Sequence, residues 1–371
     1  MAVLNEMQSM VLDTAQDWTR ERLSLSAFRA MRDNRPKEGF DAATWQEAAE
    51  LGWVSTAIAE ENGGAGLGYM TLGLLMEQVG RNVGAIPLAA TAVAADALAM
   101  AGSDALQGEW LDALLSGEKV GTIAIDEGAR HAPDAIATTA TPDGDGWLIS
   151  GTKRFVIEGE GASLLVVSAR TGDGIALFAI DGTAQGITRQ TRYLTDARGH
   201  ADIVLDNVRV SAGARLSHAK GDKALHNALL NRLRALAAAE MLGLSANAFD
   251  ITLEYLKTRV QFGQTIGSFQ ALQHRAAELF TRLELTRSAV EAALAAIDAD
   301  TANVDTLVTL AKATAGDTSN LATREMIQLH GGIGMTDEHD AGFFIKRSRV
   351  LENQWGSSAY HRQVYAKALG L

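Results

Sequence analysis

The sequence predicts an α+β protein with a helical N-terminal domain, a small middle β-barrel and a C-terminal helical bundle. Apolar residues recur at three- and four-residue spacing near both ends of the chain, whereas they alternate with a period of two in its middle. A chain of 371 residues is also long enough for two or three domains with separate cores. We therefore place the domains at residues 1–118, 119–216 and 221–371.

The N-terminal domain is predicted to consist of helices joined by short loops. Gly or Asn closes several helical segments, and Pro87 suits the start of one because its fixed φ fits the first turn. The run GGAGLG at 63–68 lies between two helices without a preceding strand. It therefore favours a flexible interhelical loop over a dinucleotide-binding turn. The predicted helices span residues 4–24, 42–51, 71–82, 89–101 and 104–116.

Short β-branched segments separated by Gly, Asp and Pro predict the middle domain. The run ATPDGDGW at 140–147 predicts a hairpin, because Asp-Gly readily supplies positive φ angles. About six strands at close spacing are typical of a small barrel or sandwich. The segments are VGTIAI, IATTAT, GWLISG, LLVVSA, IALFAI and DIVLDNVRV.

Longer helical segments return after Gly221 and predict an antiparallel bundle. Ser268 is the predicted N-cap of the second of these helices, because a serine hydroxyl can accept from a free backbone N–H. The predicted helices span residues 224–258, 268–299, 303–329, 338–352 and 357–369.

Composition excludes several classes of function. The 33 Lys and Arg against 45 Asp and Glu leave a net charge of −12, and such a chain lacks the excess of positive charge that binds nucleic acid phosphates. The absence of cysteine excludes disulfides and thiolate chemistry, and the eight His are too dispersed for a metal site. We find neither a nucleophile elbow, a signal peptide nor an apolar run long enough for a membrane span, and expect a cytoplasmic protein.

Two stretches of the last domain could bind a ligand. TRVQFGQTIGSFQALQ at 258–273 places Arg259 and Phe262 beside a helix end, where a guanidinium can bind a pyrophosphate and a ring can pack on a flat group. QLHGGIGMT at 328–336 has two adjacent glycines that expose backbone N–H groups. From the residues alone, each stretch could equally be a simple connector between helices.

Together, and in this order, these stretches resemble the acyl-CoA dehydrogenase family. The similarity is close at RVQFGQTIGSFQ (259–270) and QLHGGIG (328–334), and the order of domains covers essentially the whole chain. EENGGAGLG (60–68), DGWLISGTK (145–153) and KRSR (346–349) are also similar. The resemblance implies the acyl-CoA dehydrogenase fold, an acyl-CoA substrate and FAD as cofactor.

In that family the ADP end of FAD is held by the neighbouring subunit. The resemblance implies that this chain provides such a clasp, and all of its positions are intact. The clasp residues are Arg259, Gln261, Phe262, Ile266, Phe269, Gln328, Gly331 and Gly332.

The positions that contact the flavin ring depart from the family. Asp126-Glu127-Gly128 stands where the family has Thr-Glu-Pro followed by Gly-Ser-Asp, so a flavin-contacting hydroxyl is missing. Phe155-Val156-Ile157 replaces Trp-Ile-Thr, and a second hydroxyl is lost. Both changes are expected to weaken ring binding by this chain's own barrel.

The catalytic base is also missing from its usual places. The family keeps a Glu where this chain has Trp355, or immediately before an Arg on a long helix, where this chain has Leu233 before Arg234. Glu352 is the nearest acid, and a helical segment would place it about one turn from Trp355. We consider it a weak candidate for the base, because a surface acid paired with Arg349 fits better.

The retained clasp and missing base suggest the non-catalytic subunit of a heteromeric dehydrogenase. The chain is similar to the small subunits of paired enzymes of the pimeloyl-CoA and steroid side-chain type, which implies an α2β2 assembly with a second, related chain. Three alternatives stay open: a homotetrameric dehydrogenase with a relocated base, a flavin-dependent hydroxylase of the same fold, and a structural member without flavin. The sequence does not identify the acyl group.

Overall fold

Helices occupy both ends of the chain and strands its middle, as the periodicity predicts. The computed structural model describes residues 4–371. Six helices precede the strands, and an Asn5 capping box opens the first of them. They are α1 (Glu6–Arg22), α2 (Leu25–Asn34), α3 (Ala42–Glu50), α4 (Gly68–Arg81), α5 (Leu88–Ala101) and α6 (Asp104–Leu115).

Seven strands of the middle segment form one mixed, curled sheet. Its order is β1-β4-β2-β3-β7-β6, and β5 pairs with β4 outside this path. Strand β4 runs parallel to β1 and β2, whereas the other pairs are antiparallel. The strands are β1 (Gly121–Ala124), β2 (Thr139–Asp143), β3 (Gly146–Ile157), β4 (Leu164–Thr171), β5 (Gly174–Asp181), β6 (Ile187–Tyr193) and β7 (Gly199–Ser211).

The last part of the chain is a set of long helices with one small hairpin. The hairpin is formed by β8 (Val260–Gln261) and β9 (Gln264–Thr265). A membrane-crossing helix needs a long apolar stretch, and none of the helices among residues 4–371 has one. The helices are α7 (Asp222–Thr258), α8 (Gln270–Asp298), α9 (Val304–His330), α10 (Ala341–Asn353) and α11 (Ser358–Ala368).

Four elements were not predicted, namely α2, β6 and the two short strands β8 and β9. Helix α2 has only ten residues, so its buried Phe28 and Met31 give too short a pattern to recognise. Strand β6 pairs only with β7 at the edge of the sheet, and its sequence ITRQTRY is mostly polar. A strand at an edge can keep polar side chains on both faces, which removes the alternation that identifies a strand.

Three local predictions need correction. Ser268 does not cap α8, which begins at Gln270 after Phe269, because its hydroxyl donates instead to the carbonyl of Thr265 at 2.6 Å. In the β2–β3 hairpin only Gly144 has a positive φ, of 62°, and Asp145 does not. The loop at 63–68 does join two helices, but backbone hydrogen bonds to residues 55–58 hold it in place.

Contacts between Cα atoms divide the chain into two compact units. The first consists of the residues up to Arg29, Gly73–Gly84 and Arg234–Leu371, and it contains α8 to α11. The second consists of Ala30–Leu72 and Ala85–Leu233, and the sheet around Phe178 lies within it. The division into three domains stays a prediction.

Candidate functional site

The first half of the predicted clasp is a tight hairpin at the end of α7. The N–H of Arg259 donates to the carbonyl of Tyr255, and the carbonyl of Arg259 accepts from the N–H of Ile266, both at 2.8 Å. Phe262 and Gly263 form the turn with φ angles of 54° and 79°. Two positive φ angles in a two-residue loop identify a type I′ turn, which suits the twist of a hairpin.

This hairpin presents its side chains outward. Phe262 is 90% exposed, and its ring meets the edge of the Phe269 ring at 6.2 Å. Arg259 and Gln261 are exposed as well. Within residues 4–371 the guanidinium of Arg259 has no ion-pair partner. The guanidinium of Arg259 and the ring of Phe262 are therefore accessible to a ligand or to another chain.

The second half of the clasp is the glycine pair after α9. Gly331 has φ 66° and ψ −139°, a conformation that strongly favours glycine. A methyl group added at Gly331 or Gly332 would meet no atom of this chain within 4 Å. The glycines are therefore not required for internal packing, and Gln328 beside them is exposed. The arrangement allows a ligand to approach the backbone closely.

Contacts between rings join the two halves. The centroid of the Tyr255 ring, on the last turns of α7, lies 4.3 Å from that of the His330 ring at the end of α9, and the His339 ring contacts His330 at the same distance. Nδ1 of His330 donates to the carbonyl of Met326 at 2.7 Å. Burial lowers the pKa of His330. Sequence reasoning did not identify the role of Tyr255, because the contact spans about 75 positions of the chain.

Trp355, at the expected base position, lies between α10 and α11. It is only 8% exposed and has a φ of 54°. Its carbonyl accepts from Nε of Arg234 and Nε2 of His361, each at 3.1 Å. Leu233, the alternative position, is fully buried on α7. Neither position can supply a carboxylate.

Glu352 does not have the helical relation to Trp355 that the sequence suggested. Helix α10 ends at Asn353 and Gln354 is extended, so the chain leaves the helix between the two residues. The Glu352 carboxylate lies 3.6 Å from the Arg349 guanidinium, and the two form an ion pair.

A buried lysine of α9 holds the same region from within. Nζ of Lys312 donates to the carbonyls of Leu351, Glu352 and Gly356, each at 3.0 Å. Burial, with a smaller contribution from Arg234, lowers the pKa of Lys312 to about 7. Sequence reasoning missed this residue. Its only signal is a lone lysine in the apolar stretch LVTLAKATAG.

In the connection after β1 and at the end of β3, the positions expected beside a flavin ring contact other residues of this chain. The His131 ring pairs with the Asp126 carboxylate at 2.9 Å, and its side chain is nearly buried. The N–H of Phe155 donates to Asp202 at 3.0 Å.

Lys153 and Glu127 form a buried ion pair beside these residues. Nζ of Lys153 donates to Glu127 at 2.6 Å and also contacts the carbonyl of Ile125 and the hydroxyl of Ser168. Burial lowers the pKa of Lys153 to about 8 although Glu127 opposes this change. Burial raises the pKa of Glu127, but its hydrogen bonds, first that from Lys153, outweigh this and lower it. These residues satisfy one another and need no ligand.

Three family models match the chain in the order of its sequence. They describe the acyl-CoA dehydrogenase N-terminal domain at residues 5–118, the middle domain at 124–208 and the C-terminal domain at 220–370. The chain belongs to the acyl-CoA dehydrogenase family. Members of this family are oxidoreductases of class EC 1.3 and use FAD.

Individual acyl-CoA dehydrogenases match almost end to end. The short-chain specific enzyme of Bos taurus mitochondria is 27% identical over 98% of this chain and 90% of its own length. A chain of a variant of the Tcur3481-Tcur3483 steroid ACAD is 30% identical, covers 98% of both chains and has a TM-score of 0.90. The ChsE4-ChsE5 complex from Mycobacterium tuberculosis shares the fold, with a TM-score of 0.92 at 24% identity over 100% of this chain and 99% of the other.

Proposed function

We propose that this chain is the non-catalytic subunit of a heteromeric acyl-CoA dehydrogenase. It would clasp the FAD whose ring lies in a second, related chain, and that chain would supply the catalytic carboxylate. The observation that carries the proposal is a contrast within one molecule. Arg259, Phe262 and Gln328 of the clasp are exposed, whereas the base position holds the buried Trp355.

The clasp residues fit the ADP end of FAD. Arg259 is an exposed guanidinium without an internal ion pair, and such a group binds a pyrophosphate through paired, charge-assisted hydrogen bonds. The exposed Phe262 ring offers a flat apolar surface. Gly331 and Gly332 leave open space above the backbone, where N–H groups can approach an anion. Gln261 and Gln328 add exposed amides at the two ends of the clasp.

The missing chemistry argues for a second chain. Bound FAD would take the hydride from the β-carbon of an acyl-CoA thioester, and a carboxylate must remove the α-proton. Trp355 and Leu233 cannot do this, and Glu352 is paired with Arg349. In the sheet, His131 and Asp126 satisfy each other where the family places a flavin-contacting hydroxyl. The names of the Tcur3481-Tcur3483 and ChsE4-ChsE5 proteins, each with two components, are compatible with such a pairing.

The decisive experiment is a comparison of two preparations. This chain is purified alone and after co-expression with a second acyl-CoA dehydrogenase chain of the same organism, and the native mass and flavin content are measured for both. We expect a yellow mixed complex with about one FAD for every two chains, and little flavin on the chain alone. A yellow homotetramer that turns over an acyl-CoA would contradict the proposal and support a relocated base. Oxygen consumption with reduced flavin would instead support the hydroxylase alternative.

Arg259→Ala tests the clasp within the complex. Loss of a charge-assisted hydrogen bond costs about 1.5–3 kcal/mol, so we expect FAD to bind roughly ten to a hundred times more weakly. The matched control is Arg170→Ala, which removes an exposed guanidinium from the sheet. Equilibrium dialysis of FAD against each complex gives the dissociation constants. Equal affinity for both variants would show that Arg259 does not contact the cofactor.

A further inference from the structure

The loop between α10 and α11, residues 354–357, has an unusual backbone. Trp355 has a φ of 54°, and Gly356 follows with a φ of 108°. A bulky residue in the left-handed region costs on the order of 1–3 kcal/mol and persists only where the surroundings hold it there. The contacts that hold this loop therefore stabilise Trp355 in an unfavourable backbone conformation.

Three side chains from three helices hold the loop by its carbonyls. Arg234 of α7 and His361 of α11 both donate to the carbonyl of Trp355. Lys312 of α9 donates to Gly356 within the loop and to Leu351 and Glu352 at the end of α10, each at 3.0 Å. An ammonium group has three protons, and these three carbonyls use all of them.

Lys312 and His361 are both fully buried, whereas Arg234 is partly exposed. The charged groups near Lys312 are Arg234 of α7 and Glu352 of α10, and His361 of α11 donates to the carbonyl of Trp355 in the same loop. Burial and Arg234 disfavour the charged form of Lys312, whereas Glu352 favours it, with the result that its pKa is about 7. Above this pH the neutral amine has only two N–H donors and presents a lone pair to the third carbonyl.

We propose that Lys312 is a positioning residue that fixes the 354–357 loop, and Trp355 with it, through three hydrogen bonds from its ammonium group to backbone carbonyls. The protonated form holds α10 and the loop together through three hydrogen bonds. The neutral form releases one of the three carbonyls and loosens the loop. This inference goes beyond the proposed function and does not depend on which chain holds the flavin.

The test follows Trp355 directly by fluorine NMR. The full chain is labelled with 5-fluorotryptophan, which gives a resonance for each of its six Trp residues, and Trp355→Phe identifies the one from Trp355. We expect this resonance to shift between pH 5.5 and 9 with a midpoint near the pKa of Lys312, about 7. The other five resonances serve as internal references. A Trp355 resonance that stays constant over this range would overturn the inference.

Three variants identify the titrating group. Lys312→Met should abolish the midpoint, and Lys312→Arg, which stays charged, should keep the resonance at its low-pH position throughout. Lys153→Met is the matched control, because it removes a second buried lysine with three acceptors, in the sheet. It should leave the Trp355 midpoint unchanged. A midpoint that survives both Lys312 variants but is lost in His361→Gln would assign the titration to the imidazole and refute the role of Lys312.

Discussion

At the scale of single residues, Trp355 and Glu352 decide whether this chain can catalyse the reaction of its family by itself. Trp355 is fixed by its own carbonyl and carries no ionisable group. Glu352 has a carboxylate, but its position on the last turn of α10 pairs it with Arg349. The structure therefore gives Glu352 an ion-pair partner within its own helix.

Glu352→Gln tests this assignment. We expect the acyl-CoA dehydrogenase activity of the co-expressed complex to change less than about twofold. Loss of a true general base would lower the rate by about 10² to 10⁴. Stability should also change little, by about 1 kcal/mol or less, because the partner Arg349 is half exposed. Steady-state kinetics and thermal unfolding check both expectations, and a rate loss of 10² or more would identify Glu352 as the base.

At the scale of elements, the residues of the predicted clasp lie at the ends of α7 and α9. These residues could be predicted from the sequence because turns with positive φ angles and adjacent glycines leave a local signature. The Tyr255–His330 contact that joins the two ends could not, because it depends on how the helices pack. The polar edge strand β6 and the short α2 were missed for a related reason, since neither has a clear periodic pattern over its length.

Gly332→Ala tests whether FAD approaches the backbone closely at this position, because the variant should weaken FAD binding without changing the stability of the chain. The added methyl group meets no atom of this chain, and Gly332, unlike Gly331, does not have a positive φ. We therefore expect the stability of the isolated chain to change by no more than about 0.5 kcal/mol. Binding of FAD by the complex should still weaken, by about tenfold or more, because the methyl group occupies the space where the cofactor approaches the backbone.

The matched control is Gly342→Ala, whose methyl group also meets no atom but lies within α10. Because alanine favours helix over glycine by up to about 1 kcal/mol, this variant should be slightly more stable and should bind FAD normally. Flavin titration and urea unfolding measure the two effects. Normal FAD affinity of the Gly332 variant would contradict close approach of the cofactor at this position.

At the scale of the whole molecule, burial of ionisable groups makes stability depend on pH. The pKa of Lys312 is lowered to about 7 and that of Lys153 to about 8, from an ordinary value of 10.5. At a pH between the pKa of a lysine in the folded chain and its ordinary pKa, that lysine is protonated in the unfolded chain but has lost its proton in the folded chain. The free energy of unfolding therefore rises with pH in this range. His226, whose burial lowers its pKa to about 4, acts in the same direction between pH 4 and 6.5.

We expect the free energy of unfolding to increase from pH 7 to 9.5. Each lysine contributes up to about 1.4 kcal/mol per pH unit above its folded pKa. Lys312→Met should make the free energy of unfolding rise less steeply with pH above about pH 7. Lys153→Met should have the same effect above about pH 8. Urea unfolding at fixed ionic strength and several pH values provides the measurement. A free energy that does not rise with pH over this range would show that the two lysines stay protonated in the folded chain.

The sequence by itself determined the family and the succession of helical, strand-rich and helical segments, and it predicted the clasp residues. These features are local, because periodicity, turn chemistry and contiguous motifs are readable without any long-range contact. The tertiary structure decided what surrounds the missing base. Lys312 lies 39 to 44 positions from the carbonyls it binds, and Arg234 lies 121 positions from Trp355. Only the packing of α7, α9, α10 and α11 brings these groups together, and burial there sets the protonation of Lys312.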